Sequence, residues 1–158
     1  MNVVIERADP GAKESRELVE EMWRELDELY GNEVATPADF QDPSGVIFVI
    51  ARQDGIAVGC GAILRRSDTI AEAKRVFVTP SARRSGIARA TMQELEQLAR
   101  AAGFNEIWLE TGLRQPAAIR LYESLGYTRI ADFGDYKDDP LSVCYGKMLT
   151  ERPPTGRE

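Results

Sequence analysis

The chain has 158 residues, of which 43% are hydrophobic and 29% are charged, a composition typical of one globular domain that buries roughly 70% of its unfolded surface. Because histidine is absent, Ser-His-Asp catalysis, Cys-His catalysis and histidine-ligated metal sites are excluded, and we expect no metal cofactor. The formal net charge of −6 disfavours nucleic acid as a partner, since binding to a phosphate backbone needs a broad basic face.

In chain order, the first half of the sequence contains one strong helical pattern and several extended ones. Apolar residues at helical spacing predict an amphipathic helix that ends at Gly31, with Asp9 or Ser15 as its N-terminal cap. Two β-branched runs separated by the turn signal QDG predict a hairpin. The predicted elements are a strand over 2–7, a helix over 15–30, a short helix after Pro37, and strands over 46–52, 56–64 and 70–78.

The second half alternates between helices and strands. Its predicted elements are a helix over 84–102, a strand over 105–110, a helix over 116–125, and strands over 127–132 and 141–149. An antiparallel start followed by β-α-β crossovers predicts an α/β (α+β) fold with a mixed, mostly antiparallel central sheet of six to seven strands flanked by helices. We expect a single domain over residues 1–149 and a flexible tail over 150–158.

The sequence also favours a cytoplasmic protein with no membrane partner. No apolar run approaches the ~20 residues that span a bilayer, and the segment MNVVIERADP lacks the basic and apolar regions of a secretory signal. The two cysteines, Cys60 and Cys144, lie in apolar strand-like contexts and are predicted to be buried, reduced thiols.

The segment ARRSGIARA, residues 82–90, links a predicted strand to a predicted helix. The first turn of a helix has about four backbone N–H groups without internal partners and carries the positive end of the helix dipole. Gly86 has no Cβ, so a ligand can approach this backbone closely. With Arg83 and Arg84 alongside, the junction indicates an anion site suited to phosphate. The alternative is a solvated basic patch on the surface.

Two common phosphate-binding motifs are missing. The dinucleotide fingerprint needs G-x-G-x-x-G between a strand and a helix, whereas Gly59-Cys60-Gly61 leads into more strand and lacks the third glycine. The P-loop needs Gly-Lys-Ser/Thr, which does not occur. The junction therefore belongs to another kind of site.

Arg83-x-x-Gly86-x-Ala88 matches the R/Q-x-x-G-x-G/A signature of the GCN5-related N-acetyltransferase (GNAT) superfamily, and LYESLGY follows it about thirty residues later. Over residues 2–149 the sequence resembles this family, in its strand order as well as its motifs. The resemblance implies the acyl-CoA N-acyltransferase fold and acetyl-CoA as cosubstrate.

The resemblance also implies where coenzyme A is bound. The backbone N–H groups from Arg84 to Ala88 would hold the pyrophosphate, and the strand carrying Val76 and Val78 would pair with the pantetheine arm. That strand and WLET (108–111) would splay apart around the acyl group, with an N–H near Phe77 or Val78 facing the carbonyl oxygen. Many relatives have an asparagine where this chain has Gln115. The implied cofactor-binding residues are Val76, Phe77, Val78, Arg83, Arg84, Ser85, Gly86, Ile87, Ala88 and Gln115.

Tyr122 occupies the position of the family's general acid, and its phenol can donate to the leaving sulfur. Its helix face also carries Ile119 and Leu125, so a core tyrosine is the alternative.

Glu72 is the first candidate for the base. Strand parity predicts that it shares a face with Lys74, Val76 and Val78. An ion pair with Lys74 or with a neighbouring strand is the alternative role. Glu110, on the strand flanking the acyl gap, is the second candidate, and a water chain is the third.

The resemblance implies direct transfer of acetyl to a primary amine in a ternary complex, the acceptor being a small amine, an amino acid or a peptide or protein amine. Acidic residues in segments 30–45 and 133–142 favour a cationic acceptor by electrostatic steering. Two other functions remain open: a non-catalytic acyl-CoA-binding module, and an interaction protein that forms a homodimer through the face carrying Met22 and Trp23.

Overall fold

The computed structural model describes residues 2–31 and 45–149. The predicted helix after Pro37, most of the first acidic segment and the predicted tail lie outside these residues. In chain order the elements are β1 (Val3–Ala8), α1 (Lys13–Tyr30), β2 (Val46–Gln53), β3 (Ile56–Arg65), β4 (Ile70–Val78), α2 (Ile87–Ala101), β5 (Glu106–Gly112), α3 (Pro116–Ser124), β6 (Thr128–Ile130) and β7 (Ser142–Met148).

The seven strands form one sheet in the order β1-β2-β3-β4-β5-β7-β6. Every neighbouring pair is antiparallel except β4 and β5, which are parallel. The apolar stripe of α1 packs on one face of the sheet, whereas α2 and α3 pack on the other. The predicted fold class, with its mixed and mostly antiparallel sheet, is confirmed.

The helix α1 begins slightly earlier than predicted, and neither predicted cap acts as one. Ala12 is its N-cap, without a side-chain cap. The Asp9 carboxylate accepts a hydrogen bond from the Gly11 N–H at 2.8 Å, and the Ser15 hydroxyl donates to the Asp9 carbonyl at 2.7 Å. Both side chains therefore stabilise the preceding turn, because they bond within it and not to the open N–H groups of the helix.

The face of α1 that carries Met22 and Trp23 packs against the sheet. Met22 is buried and Trp23 is partly buried against the same apolar cluster. This face therefore contributes to the core, and a dimer interface would need another surface. No helix within the described ranges is long and apolar enough to cross a membrane.

Strand β4 contains a bulge that the sequence pattern does not predict. Lys74 pairs with Ala62 and Phe77 with Cys60, so Gly61 alone opposes two residues of β4. Arg75 has a positive φ of 59°, which an extra residue in a strand can require.

The bulge changes which side chains share a face. Glu72 and Lys74 lie on the α1 side, whereas Val76 and Val78 pack on the α2 side. The predicted common face of these four residues is therefore wrong, because the extra residue reverses the alternation.

Strands β4 and β5 pair only over their first halves. The parallel register runs from Ile70↔Glu106 to Ala73↔Leu109 and stops there in the described structure, although β4 continues to Val78 and β5 to Gly112. The strands separate at the position of the bulge, because a bulge bends its strand and increases the twist. The predicted gap between these strands is therefore present.

The two glycines that flank Cys60 serve packing. A Cβ on Gly61 would lie 3.0 Å from Leu95 and 3.1 Å from Thr91, both on α2. A Cβ on Gly59 would lie 2.8 Å from the Phe77 carbonyl oxygen. Their lack of side chains lets α2 and β4 approach β3 closely. Close packing therefore explains this glycine pair, and no nucleotide-binding role is needed.

Candidate active site

The β4–α2 junction presents a row of open backbone donors. The helix α2 begins at Ile87, later than the predicted residue 84, because Arg84 and Gly86 adopt left-handed φ values of 66° and 82°. The N–H groups of residues 84–89 donate to no acceptor within the described part of the chain. Since the N-terminus of α2 also carries positive dipole charge, this loop fits a pyrophosphate.

Arg83 bonds to the protein itself. Its Nη2 donates to both Glu25 carboxylate oxygens at 2.8 and 2.7 Å, and its Nε donates to the Val78 carbonyl at 2.9 Å. The side chain therefore ties the loop to α1 and to the end of β4. Arg84 is exposed, and the Ser85 hydroxyl donates to the Ala82 carbonyl at 2.6 Å, which braces the turn. Direct contact of these side chains with phosphate stays a prediction.

Beyond the bulge, the three predicted cofactor-binding residues of β4 point alternately to the two sides of the sheet. Val76 packs beneath α2, Phe77 beneath α1, and Val78 against Ile87. The edge of β4 that faces the gap has no partner strand over these residues within the described structure. This edge is therefore open to an extended ligand arm, and its pairing with pantetheine, which the resemblance implies, stays a prediction.

Gln115 lies at the far end of the gap and contacts α1. It is the N-cap of α3, and its side-chain oxygen accepts a hydrogen bond from the Tyr30 hydroxyl at 3.3 Å. The same hydroxyl accepts one from the Arg114 N–H at 3.3 Å. A Cβ on Gly112 would overlap this hydroxyl, so glycine is needed here. Tyr30 thus fixes the start of α3 from the opposite side of the sheet.

Tyr122 is buried in the core cluster on the α2 and α3 side of the sheet, where its ring contacts that of Tyr127 edge-on at 5.9 Å. Its hydroxyl has no hydrogen-bond partner among the described residues. Burial, reinforced by the charge of Glu110, raises the pKa of Tyr122 to about 12. The phenol is therefore protonated at neutral pH and available as a donor.

Glu72 is buried, and both of its carboxylate oxygens are bonded. Arg66 donates to one oxygen at 3.2 Å and the Tyr136 hydroxyl donates to the other at 3.2 Å. The guanidinium of Arg66 lies 4.6 Å from the Phe133 ring centroid. The ion pair that the sequence leaves open exists, but its partner is Arg66 and not Lys74.

Glu110 lies on the α1 side of β5, next to the opening of the gap. The Ser142 hydroxyl lies 2.7 Å from its carboxylate and 3.1 Å from the carboxylate of Asp139. Burial raises the pKa of Glu110 to about 7, with a further contribution from the charge of Asp139, while Ser142 and Lys74 act in the opposite direction. A carboxylate with this pKa can take up a proton near neutral pH.

Sequence reasoning missed several residues that shape the site. Glu25 holds Arg83, Tyr30 holds Gln115, and Tyr136 bonds to Glu72. Each of these contacts joins segments far apart in the chain, and no local pattern marks them. For Tyr30 alone the sequence offers a partial indication, because its position directly before the helix-ending Gly31 places it at the end of α1.

A family model described as the acetyltransferase (GNAT) family matches residues 12–127. The chain belongs to this family. An IAA acetyltransferase of Azospirillum brasilense is 39% identical over 151 residues, which are 94% of this chain and 99% of that protein. The N-acetyltransferase YsnE of Bacillus subtilis is 35% identical over 94 residues, 58% of this chain and 62% of that protein. This GNAT protein is therefore an acyltransferase, as the sequence predicts.

Solved structures of the same family agree with the fold. A Klebsiella pneumoniae protein classed as an acyl-CoA N-acyltransferase superposes with a TM-score of 0.82 at 32% identity, covering 94% of this chain and 98% of that one. A GNAT acetyltransferase of Elizabethkingia anophelis with acetyl-CoA bound gives a TM-score of 0.70 at 14% identity, covering 93% and 98%. The latter similarity supports the fold alone.

Proposed function

We propose that this GNAT protein is an N-acetyltransferase that moves an acetyl group from acetyl-CoA to a primary amine by direct transfer. The observation that carries the proposal is the presence of three features on the adjacent strands β4 and β5 and the loop that follows β4. They are the open amides of residues 84–89, the gap between β4 and β5, and the carboxylate of Glu110 at its opening.

The amide row suits acetyl-CoA because a pyrophosphate needs several donors at once and the helix terminus supplies them. The unpaired edge of β4 can receive the pantetheine arm as an added strand. The backbone N–H of Val78, beyond the bulge, would donate to the thioester oxygen as it gains negative charge. It faces the gap because the next N–H, that of Thr79, donates to Val58 of β3 and successive N–H groups of a strand alternate in direction. The chain supplies this donor from its backbone and needs no metal for it.

Direct transfer is supported by the state of the two thiols. Burial raises the pKa of Cys60 to about 12 and that of Cys144 to about 11, so neither is a thiolate at neutral pH. Histidine is absent from the sequence. These candidates for carrying the acetyl group covalently are therefore inactive or absent, and the amine would attack the thioester itself.

The acceptor must first lose a proton. An amine of pKa about 10.4 is neutral only about once in 2,500 at pH 7, which costs on the order of 4.6 kcal/mol. Glu110 is better placed than Glu72 to take that proton, because Arg66 and Tyr136 occupy both oxygens of Glu72. Glu72 in turn holds Tyr136 against β4.

Tyr122 would donate a hydrogen bond to the departing sulfur. Complete proton transfer from a phenol of pKa about 12 to a thiolate whose conjugate thiol has a pKa of about 8.5 is uphill by about 5 kcal/mol. We therefore assign to Tyr122 the stabilisation of the negative charge that develops on the sulfur. The proton that converts the released thiolate into a thiol comes from the amine or from solvent.

The proposal is tested by measuring thiol release from acetyl-CoA with a panel of acceptors. The panel contains amino acids, polyamines, peptides with free N-termini, and IAA, the compound in the name of the A. brasilense relative. We expect release that depends on an amine and an acetylated product detected by mass spectrometry. A purified, folded protein that acetylates no amine would contradict the proposal.

Replacing Gly86 with valine is expected to raise the KM for acetyl-CoA at least about tenfold, since forcing a β-branched residue to φ 82° costs on the order of 1–3 kcal/mol or moves the amides. Arg84→Ala is expected to change this KM less than about threefold, because exposed charges contribute little.

Gly103→Val is the matched control for Gly86→Val, since Gly103 also has a positive φ, 97°, and open space around it, at the other end of α2. It should cost similar stability and leave the KM unchanged. A larger effect from Arg84→Ala than from Gly86→Val would contradict the role of the backbone.

A further inference from the structure

Two opposite charges face each other where β4 and β5 separate. Ala73↔Leu109 is the last pair of the parallel register, so Lys74 and Glu110 are the first residues beyond it on their strands. Ala73 and Leu109 point to the α2 side, and the alternation of a strand therefore directs Lys74 and Glu110 to the α1 side. Both side chains stand at the same opening of the gap.

These two charges do not form an ion pair with each other. The described structure contains no nitrogen-to-oxygen distance of 4.0 Å or less between Lys74 and any carboxylate. Lys74 is half-buried, and its ammonium lies 6.0 Å from the ring centroid of Tyr136. The other nearby acid on β4, Glu72, is already paired with Arg66.

The charges around the opening are divided between its two sides. Glu110 and Asp139 share the Ser142 hydroxyl on the β5 and β7 side. Lys74 provides a positive charge on the β4 side. A molecule bound here would therefore meet acceptors for a cation on one side and a donor for an anion on the other.

We propose that Lys74 and Glu110 together recognise an α-amino carboxylate, with its amino group at Glu110 and its carboxylate at Lys74. This inference rests on the proposed function and narrows its acceptor to the amino acid class. A polyamine would bring a second cation toward Lys74 and would be repelled. A plain amine would leave Lys74 without an anion.

The transfer balances with this arrangement. The ammonium group loses one proton to Glu110, the nitrogen then forms its bond to the acetyl carbon, and it loses a second proton. The bond between the acetyl carbon and sulfur breaks, and the sulfur leaves as a thiolate that takes up one proton. One proton is released to solvent in total, and the carboxylate held by Lys74 does not react.

The test compares acceptors that differ only at the carboxylate. The first set is L-phenylalanine, L-phenylalaninamide and 2-phenylethylamine, and the second is L-methionine, L-methioninamide and 3-(methylthio)propylamine. For at least one set, kcat/KM for the free acid should exceed that for the other two members at least about tenfold, which is the usual contribution of a charge-assisted hydrogen bond.

The variant Lys74→Met keeps the unbranched shape and most of the length of the side chain and removes its charge. It should reduce that preference to within about threefold, because kcat/KM falls much more for the free acid than for the amide and the amine. A smaller loss common to all three acceptors is expected near pH 7, since Lys74 lowers the pKa of Glu110, and the KM for acetyl-CoA should be unchanged. The control is Lys137→Met, which removes the exposed lysine that follows Tyr136 and should leave the preference intact.

Three results would overturn the inference. They are equal use of acid, amide and amine by the wild type, an equal loss for all three in Lys74→Met, and acetylation restricted to polyamines or peptides. All three still require amine acetylation and leave the proposed function standing. A protein that acetylates no amine in any set would instead contradict the proposed function itself.

Discussion

Tyr122→Phe is expected to lower kcat at least about tenfold and to leave the dissociation constant of acetyl-CoA nearly unchanged. The ring fills the same space in the core, and only the hydroxyl is lost. That hydroxyl has no hydrogen-bond partner in the described structure, so its removal leaves no protein group unsatisfied. Steady-state kinetics and calorimetric binding of acetyl-CoA measure the two quantities separately.

The neighbouring tyrosine provides the control for this variant. Tyr127 packs against Tyr122, but its hydroxyl donates to the buried Glu96 at 2.9 Å. Tyr127→Phe should therefore lower the free energy of unfolding by about 1–2 kcal/mol and leave kcat near the wild-type value. An unchanged kcat in Tyr122→Phe would restrict Tyr122 to a role in the core.

Glu110→Gln is expected to lower kcat at least about a hundredfold at pH 7, the usual contribution of a general base. In the wild type, kcat/KM should rise with pH through about 7, because Glu110 must lose its proton to act and its pKa is about 7. In the variant, this rise on the acidic side of the pH–rate profile, its acidic limb, should disappear.

Several ionisable groups lie close enough to Glu110 to influence this profile. Asp139 and Glu72 raise its pKa and Lys74 lowers it, whereas Tyr122 stays protonated over this pH range. Glu72→Gln is the comparison, since it removes the charge bonded to Arg66 and should shift the limb without abolishing it. Loss of the limb in Glu72→Gln, and its retention in Glu110→Gln, would assign the base to Glu72.

The same group has an opposite effect on stability. The pKa of Glu110 is about 7 in the folded protein and 4.5 for the unperturbed side chain, so the unfolded chain loses this proton first as pH rises. Ionisation therefore destabilises the fold progressively between about pH 4.5 and 7, by at most about 3 kcal/mol. Glu110→Gln should be more stable than the wild type at pH 8 and close to it at pH 4, as measured by urea unfolding.

Much of the fold could be predicted because its signals are local. The hairpin around QDG, the apolar stripe of α1 and the helix ends at Gly31 and Gly103 each follow from a few adjacent residues. The start of α2 was predicted three residues early, because left-handed backbone at Arg84 and Gly86 delays the helix. Glycine at position 86 permits the left-handed backbone there, but nothing in ARRSG indicates it at Arg84.

The candidate site was less predictable because its geometry depends on distant contacts. The resemblance marked Tyr122 and the loop at Gly86, but the state of Glu110 depends on Asp139 and Ser142 from another strand and its preceding loop. The predicted alternation of side chains along β4 is interrupted at Arg75, because a bulge depends on the pairing of two strands and cannot be read from one strand. For the same reason, the sequence alone could not decide whether Glu72 or Glu110 is the better candidate for the general base.

The position of the bulge also identifies a single-residue deletion that would close the site without disturbing the core. Deletion of Arg75 would leave Lys74, Phe77 and every other side chain of β4 on its present face, so the core would be preserved. What would disappear is the bend, and a regular β4 could then pair with β5 along its full length. The cleft between these strands would close into continuous sheet, so access to the reacting groups depends on one extra residue in one strand.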